Sequence, residues 1–168
     1  MKMAKKLLAV VLTGVMAVSM LTGCALSDKV KANALVDALN YEGKKETTAV
    51  MYKEGSKAND AADTRLTTAK NAVKALADTS TASQVEAVTV TDPAGFSVTI
   101  KEIPSKATKQ DSWSKIAIAL HTTLKTAAHK GGSKNDTIVV NIGFISKKVT
   151  DGNKKVEKDF VIVVAKKA

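Results

Sequence analysis

The chain has 168 residues, of which 45% are hydrophobic and 25% charged, and its formal net charge is +10. It contains one arginine and 4% aromatic residues, so it lacks the interleaved arginine and aromatic side chains of nucleic-acid-binding faces, and we expect no nucleic-acid partner. Its single cysteine excludes a fold that depends on internal disulfides.

The first 20 residues have the parts of a secretory signal. Lys2, Lys5 and Lys6 precede an uncharged stretch, residues 7–20, and small residues follow it. This stretch is shorter than the roughly 20 apolar residues of a membrane-spanning helix, and small and polar residues interrupt it. We therefore predict that the segment is cleaved and is not retained as a transmembrane anchor.

The segment ends in Leu21-Thr22-Gly23-Cys24, an apolar residue and two small ones before the only cysteine. These residues resemble the lipobox of bacterial lipoproteins. The resemblance, which covers residues 1–24, implies cleavage between Gly23 and Cys24 and transfer of a diacylglyceryl group to the Cys24 sulfur. Two or three acyl chains hold a protein stably on a membrane. We expect a lipid-anchored protein of the cell membrane or outer membrane that faces outside the cytoplasm; a plain secretory signal or a free thiol is the alternative.

Residues 24–168 would then form the mature chain, enough for one extracytoplasmic domain and too short for a two-lobed solute-binding lipoprotein. Their charge is unevenly distributed, with a net charge of −1 over residues 24–100 and +8 over residues 101–168. The candidate partners are therefore anionic lipid, an anionic wall polymer or a protein, contacted through the basic C-terminal half. A solvated lysine-rich surface is the alternative.

Three segments show the apolar periodicity of helices. They cover residues 28–40, residues 58–77 and a stretch from about residue 112 to the glycines at 131 and 132. Candidate N-terminal caps are Ser27 or Asp28 for the first and Asp111 or Ser112 for the third. Residues 41–57 are polar, and we predict a loop there with a helical turn at residues 48–53.

Two segments alternate with a period of two and predict β-hairpins. Residues 84–90 and 96–101 flank the turn Asp92-Pro93-Ala94-Gly95, and a second hairpin turns at residues 150–152. A three-residue loop, Thr150-Asp151-Gly152, makes every facing pair apolar: Ile142 with Phe160, Val140 with Ile162, and Ile138 with Val164. We predict this loop over a two-residue Asp151-Gly152 loop, which pairs apolar side chains less well.

The predicted order is therefore helix, helix, hairpin, helix, hairpin. It indicates an α+β fold with a four-stranded antiparallel sheet packed by helices on one face. Four lysines at the tip of the second hairpin are the candidate polyanion-binding residues: Lys147, Lys148, Lys154 and Lys155. Lysines also keep hairpin tips soluble, and this is the structural alternative for all four.

The aromatic residues offer little for sugar binding. Four lie on apolar strand or helix faces and are predicted to be core: Phe96, Phe144, Phe160 and Trp113. Tyr41 and Tyr52 lie in polar surroundings, and two tyrosines in a loop are weak support for a carbohydrate platform.

No motif marks a catalytic, cofactor or metal site. His121 and His129 are eight residues apart, too far for two ligands of one metal at the usual helical spacing, and we expect them at the surface. Two carboxylate pairs close in sequence, Asp60 with Asp63 and Glu157 with Asp159, indicate a solvated face. We predict a non-catalytic binding or structural module without cofactor; the alternative is a small hydrolase whose site the fold assembles, with His121 or His129 as base.

Overall fold

A computed structural model describes residues 27–46, 50–55, 60–90, 95–104, 109–128 and 136–166. The elements in chain order are α1 (Asp28–Gly43), β1 (Val50–Glu54), α2 (Asp60–Ala75), α3 (Ala82–Glu86), β2 (Phe96–Ile103), α4 (Lys109–Ala128), β3 (Asp136–Asp151) and β4 (Lys154–Lys166). The mixed α+β class is confirmed. Gly23, Cys24 and His129 lie outside the described residues.

The three predicted long helices are present as α1, α2 and α4. Ser27 precedes α1 but makes no capping hydrogen bond with its side chain, and α4 begins at Lys109, before the predicted caps. The predicted apolar stripe of α4 is buried, from Trp113 to Leu124. No helix in the described part of the chain is long and apolar enough to cross a membrane.

The sheet is mixed, and its strand order is β1-β3-β4-β2. β1 runs parallel to β3, whereas β4 is antiparallel to both β3 and β2. The predicted all-antiparallel sheet is therefore wrong, because residues 50–54 form an edge strand where a helical turn was expected. Val50 and Tyr52 point into the core from this strand and Met51 and Lys53 point outward, which is the period of a half-buried strand.

The first predicted hairpin is also wrong. Residues 82–86 form the short helix α3, which a reciprocal cap begins: the Gln84 backbone N–H donates to Thr81 Oγ1 at 3.3 Å, and the Thr81 N–H donates to Gln84 Oε1 at 2.8 Å. The cap satisfies two backbone donors at the helix start. Val85 of α3 is buried against the sheet. β2 pairs with β4, and not with residues 84–90 as predicted.

Helices cover both faces of the sheet, and not one face as predicted. Along β4, Val161 and Val163 pack in a core that also contains residues of α1 and α4, whereas Phe160 and Ile162 pack in a core with α2 and α3. Successive strand residues point to opposite faces. Because both faces are covered, residues 160–165 are buried without a break.

The β3–β4 register differs from both predicted registers. Asp151 pairs with Lys154 across a two-residue turn, Gly152-Asn153, so Ile142 faces Val163. Gly152 has φ 61°, and a positive φ at this position is typical of the turns that suit the twist of a two-residue hairpin. Apolar residues on both sides of the strands make several registers look acceptable, so apolar pairing could not select the right one.

Helices α1 and α4 run antiparallel to β3. The Asn40 side chain bonds both backbone groups of Tyr52, which pairs with Ile138, while Lys31, nearer the start of α1, places its ammonium 5.4 Å from the centre of the Phe144 ring. In α4, Trp113 contacts Phe144. The N-termini of both helices therefore point toward the β3–β4 turn. We call this end of the domain the hairpin end, and the end at Tyr52 and Ile138 the base.

Candidate functional site

At the hairpin end, strands β3 and β4 continue past the helices of one face. On the α1 and α4 side, Trp113 contacts Phe144 near the start of α4, whereas the following side chains that alternation places on this face are exposed: Ser146, Lys148, Lys155, Glu157 and Asp159. The other face stays covered, because Val149 is fully buried and the Thr150 N–H donates to the Ser80 carbonyl at 2.9 Å.

Lys147 closes the end of α2. Its ammonium donates to the Leu76 carbonyl at 2.6 Å and lies 3.1 Å from Asp78 Oδ1. Carbonyls at a helix C-terminus have no partner within the helix and carry partial negative charge, so a cation here stabilises the helix end. Only 11% of the Lys147 side chain is exposed. Lys147 therefore has a structural role in this fold and is poorly placed to contact a polyanion.

The other three predicted lysines, Lys148, Lys154 and Lys155, are exposed, and we call them the tip lysines. They make no hydrogen bond or ion pair with any residue that the structure describes. Two of the nearby acids have other partners: Lys147 hydrogen-bonds Asp78 and holds the pKa of that carboxyl below its usual range, and Lys158 lies 3.3 Å from Asp151. Glu157, which faces Lys148 across the hairpin, is the remaining acid beside the tip lysines, so three positive charges stand against one negative charge.

Lys158 is a second lysine of the hairpin with a structural role. Its ammonium lies 3.0 Å from Glu102 on β2 and 3.3 Å from Asp151. The hydrogen bond to Glu102 is the main cause that raises the pKa of Lys158. This bridge ties the turn of the hairpin to the neighbouring strand and leaves Asp151 partly neutralised.

The base contains a chain of four polar side chains. The Tyr52 hydroxyl lies 2.7 Å from His121 Nδ1, and His121 Nε2 lies 3.1 Å from Glu46 Oε1. The Lys125 ammonium donates to Glu46 Oε2 at 2.7 Å. Tyr52 on β1 and His121 on α4 are only 3% and 7% exposed. His121 is therefore a buried residue of the core edge, contrary to the surface position that the sequence predicts.

The pKa values of Tyr52 and Glu46 are both shifted by their surroundings in this network. Burial raises the pKa of Tyr52 well above its ordinary value, and the nearby Glu46 carboxylate adds to the shift, so the hydroxyl stays protonated. Hydrogen bonds from Lys125 and His121 lower the pKa of Glu46. When the neutral imidazole carries its proton on Nε2, the Tyr52 hydroxyl donates to Nδ1 and the Nε2–H donates to Glu46.

An open pocket of about 450 Å³ lies beside this chain and is lined by Glu46, His121, Thr122, Lys125 and Thr126. A general base needs a nitrogen lone pair within reach of a water or substrate proton. Both ring nitrogens of His121 already have partners. The arrangement is that of a satisfied polar network, in which buried Tyr52 and His121 connect to the partly exposed Glu46 and Lys125.

A second polar contact lies on the opposite face of the sheet. The buried Asn141 amide donates to Asp63 Oδ1 at 2.8 Å, and Gly55 permits this position, because a Cβ on it would lie 2.2 Å from Asn141 Oδ1. An open pocket of about 470 Å³ adjoins it, lined by Asp63, Thr64, Thr67 and Thr68. Within the described ranges, no group of three or more histidine, cysteine, aspartate or glutamate side chains is placed to hold a metal ion.

No protein-family model, curated protein or solved structure matches this chain. The structure separates the residues that the sequence brought together: Lys147 serves a helix end, whereas Lys148, Lys154 and Lys155 are exposed and make no hydrogen bond or ion pair with a described residue. It also joins residues that the sequence kept apart, because Tyr52 and His121 are 69 positions apart and in hydrogen-bond contact.

Proposed function

We propose that the chain is the precursor of a bacterial envelope lipoprotein, cleaved before Cys24 and anchored through lipid on that residue. Its domain is a non-catalytic module that binds an anionic component of the envelope through the tip lysines. The lipobox-like residues 21–24 support the anchor. The hairpin end supports the binding. The observation that carries it is the contrast between partnered Lys147 and the three exposed lysines beside it, which have no hydrogen-bond or ion-pair partner among the described residues.

The tip lysines are close enough to act on one target. Lys148 pairs with Glu157 across the hairpin, so Lys155 is its diagonal neighbour, at a distance of about 7–8 Å in an antiparallel pair. Lys154 lies beside the turn, opposite Asp151. Three ammonium groups on one projecting hairpin can contact several phosphates or carboxylates of a polymer or lipid surface at once.

The expected affinity is modest. Each lysine near an anionic surface contributes about 1 kcal/mol at low screening, so three contribute about 3 kcal/mol, or roughly a hundredfold in affinity. Such binding is weak for a free protein. It suffices for a protein that a lipid anchor already keeps at the membrane, because tethering makes the local concentration of the target high.

The anchor is tested by expressing the full chain in a bacterium and measuring the mass of the mature protein. We expect an N-terminal Cys24 that carries a diacylglyceryl group, and a Cys24→Ser variant that accumulates as the uncleaved precursor. Mature protein with an unmodified Cys24, or cleavage at the same place in Cys24→Ser, would contradict the lipoprotein assignment.

The binding is tested with residues 25–168, which include every described residue, sedimented with purified envelopes across a salt series. We expect bound protein at low salt and progressive loss as salt rises, because screening weakens contacts between exposed charges. Binding that does not change with salt, or no binding at low salt, would contradict the proposal and leave the tip lysines as solubilising residues.

The open pocket at His121 keeps a hydrolase as the second candidate. In this hydrolase, His121 or His129 acts as the base. For His121 to act, the hydrogen bond at one of its ring nitrogens must first break. An activity on an envelope substrate that disappears in both His121→Gln and His129→Gln variants of normal stability would favour this function. Activity that survives both replacements would exclude these bases.

A further inference from the structure

We propose that the tip lysines contact anionic phospholipid headgroups of the same membrane that holds Cys24, so that the domain stands on that membrane with its hairpin end down. This inference rests on the proposed lipid anchor. It names anionic lipid as the partner of the tip lysines, whereas their charge alone would also suit a wall polymer.

The direction of α1 determines on which side of the domain the chain leads back to Cys24. α1 runs from the hairpin end to the base, since Lys31 contacts Phe144 and Asn40 contacts Tyr52. The N-terminal end of α1, and with it the link to Cys24, therefore lies on the side of the domain from which the hairpin projects.

The chain between α1 and Cys24 is short compared with the length of the projecting hairpin. Four helical residues from Lys31 back to Ser27 span about 6 Å, and the three residues from Ser27 to Cys24 span at most about 11 Å when fully extended. The length of the intervening chain therefore allows Cys24 to reach no more than roughly 17 Å beyond the level of Phe144. The seven strand residues from Phe144 to Asp151 span about 23 Å in the same direction. A membrane that holds the lipid on Cys24 is therefore within reach of the hairpin tip.

The charged side chains at the hairpin end leave it with a net positive charge. The acids there whose side chains the structure describes are Asp28, Asp78, Glu86, Glu102, Asp151, Glu157 and Asp159. Lysines pair with five of them: Lys31 with Asp28, Lys147 with Asp78, Lys101 with Glu86, and Lys158 with both Glu102 and Asp151. Asp159 accepts a hydrogen bond from Ser146. The tip lysines and the exposed Lys29 remain against Glu157, so the surface toward the membrane is net positive.

The base provides a matched control within the same chain. Lys44 follows the end of α1, Lys53 pairs with Val139, and Lys166 pairs with Phe96, and all three are exposed. We call them the base lysines. They have the same charge and chemistry as the tip lysines, and they lie at the end of the domain that points away from the proposed membrane.

The test uses residues 24–168, coupled through the Cys24 thiol to a maleimide lipid in vesicles. Cys24 is the only cysteine, so the coupling is unambiguous and gives a thioether at the sulfur that carries the natural lipid. Lysines are acetylated with a water-soluble ester, and the rate at each is read by mass spectrometry. In vesicles with phosphatidylglycerol, we expect acetylation of the tip lysines about fivefold slower than in phosphatidylcholine vesicles, with the base lysines unchanged.

Two results would overturn this inference. Equal protection of the tip lysines in both vesicle types would mean that tethering shields them without recognition of anionic lipid. Equal reactivity of tip and base lysines in phosphatidylglycerol vesicles would mean that the hairpin does not face the membrane. If binding to envelopes then still depends on salt and on the tip lysines, the proposed function stands and a wall polymer replaces the lipid as partner. If that binding is also absent, both proposals fail.

Discussion

The base and the hairpin end differ in the arrangement of their polar and charged side chains. At the base, Tyr52, His121, Glu46 and Lys125 satisfy one another in a chain that links β1, α4 and the residues after α1. At the hairpin end, Lys147 and Lys158 have partners while their neighbours Lys148, Lys154 and Lys155 have none in the described structure. Partnered charges therefore hold the fold together at both ends, and the unpartnered lysines that are clustered on the projecting hairpin are the candidates for binding.

The largest effect on stability is expected at the base. Tyr52→Phe removes the hydroxyl partner of His121 Nδ1. This nitrogen then has no hydrogen bond to Tyr52, in a side chain that is only 7% exposed. We expect a loss of about 2 kcal/mol in the free energy of unfolding, measured by urea denaturation. In the double variant with His121→Leu, the tyrosine change should cost clearly less, because the unsatisfied atom is gone. Additive costs would show that the two groups are not coupled.

A smaller effect separates two adjacent lysines of the hairpin. Lys147→Met keeps the apolar stem but removes the ammonium from the Leu76 carbonyl and Asp78, and we expect a loss of about 1 kcal/mol. Lys148→Met is the matched control and should change stability by less than about 0.5 kcal/mol, because Lys148 is exposed and makes no hydrogen bond or ion pair with a described residue. Equal costs at both positions would remove the distinction between partnered and free lysines.

The smallest effect is a dependence on pH. Lys147 lowers the folded-state pKa of Asp78, with smaller contributions from Lys155 and Lys148. A lowered pKa adds stability at pH values above the ordinary carboxyl pKa, and this stability is lost as the pH falls through the folded-state pKa. Titration of the Asp78 carboxyl carbon by NMR should give a midpoint below the ordinary value, which rises in Lys147→Met. An unchanged midpoint in that variant would contradict the assigned cause.

The sequence predicted the long helices because their apolar stripes are regular, and the stripe of α4 from Trp113 to Leu124 is buried as expected. It failed at α3, where Glu86, Val88 and Val90 alternate with Val85, Ala87 and Thr89 as in a strand. The signal that could have identified the helix is the sequence Thr81-Ala82-Ser83-Gln84, which has the spacing of a capping box.

Burial of the sheet on both faces explains the other errors. Residues 160–165 are apolar without a break, which is typical of a strand covered on both sides, yet the prediction assumed helices on one face. With apolar residues in both orientations, facing pairs could not determine the register. β1 escaped prediction because it is a five-residue edge strand whose inward residues, Val50 and Tyr52, are separated and followed by polar or exposed ones.

The network at the base could not be predicted from spacing. Glu46 and His121 are 75 positions apart and Tyr52 and His121 are 69 apart, so only the pairing of β1 with β3 and the packing of α4 bring them together. By contrast, the hairpin lysines are close in sequence, and the sequence located them correctly. It could not show that Lys147 reaches the end of α2, because that contact depends on how α2 packs on the sheet.

The position of the binding surface is tested by comparing how strongly two triple variants of residues 25–168 bind to envelopes at low salt. One variant changes the tip lysines Lys148, Lys154 and Lys155 to Gln, and the other changes the base lysines Lys44, Lys53 and Lys166 to Gln. Both remove three positive charges from exposed positions. We predict that the tip variant binds roughly a hundredfold more weakly than the unchanged protein and that the base variant binds nearly normally. Equal weakening of both would mean that only net charge matters, and would contradict a binding surface at the hairpin end.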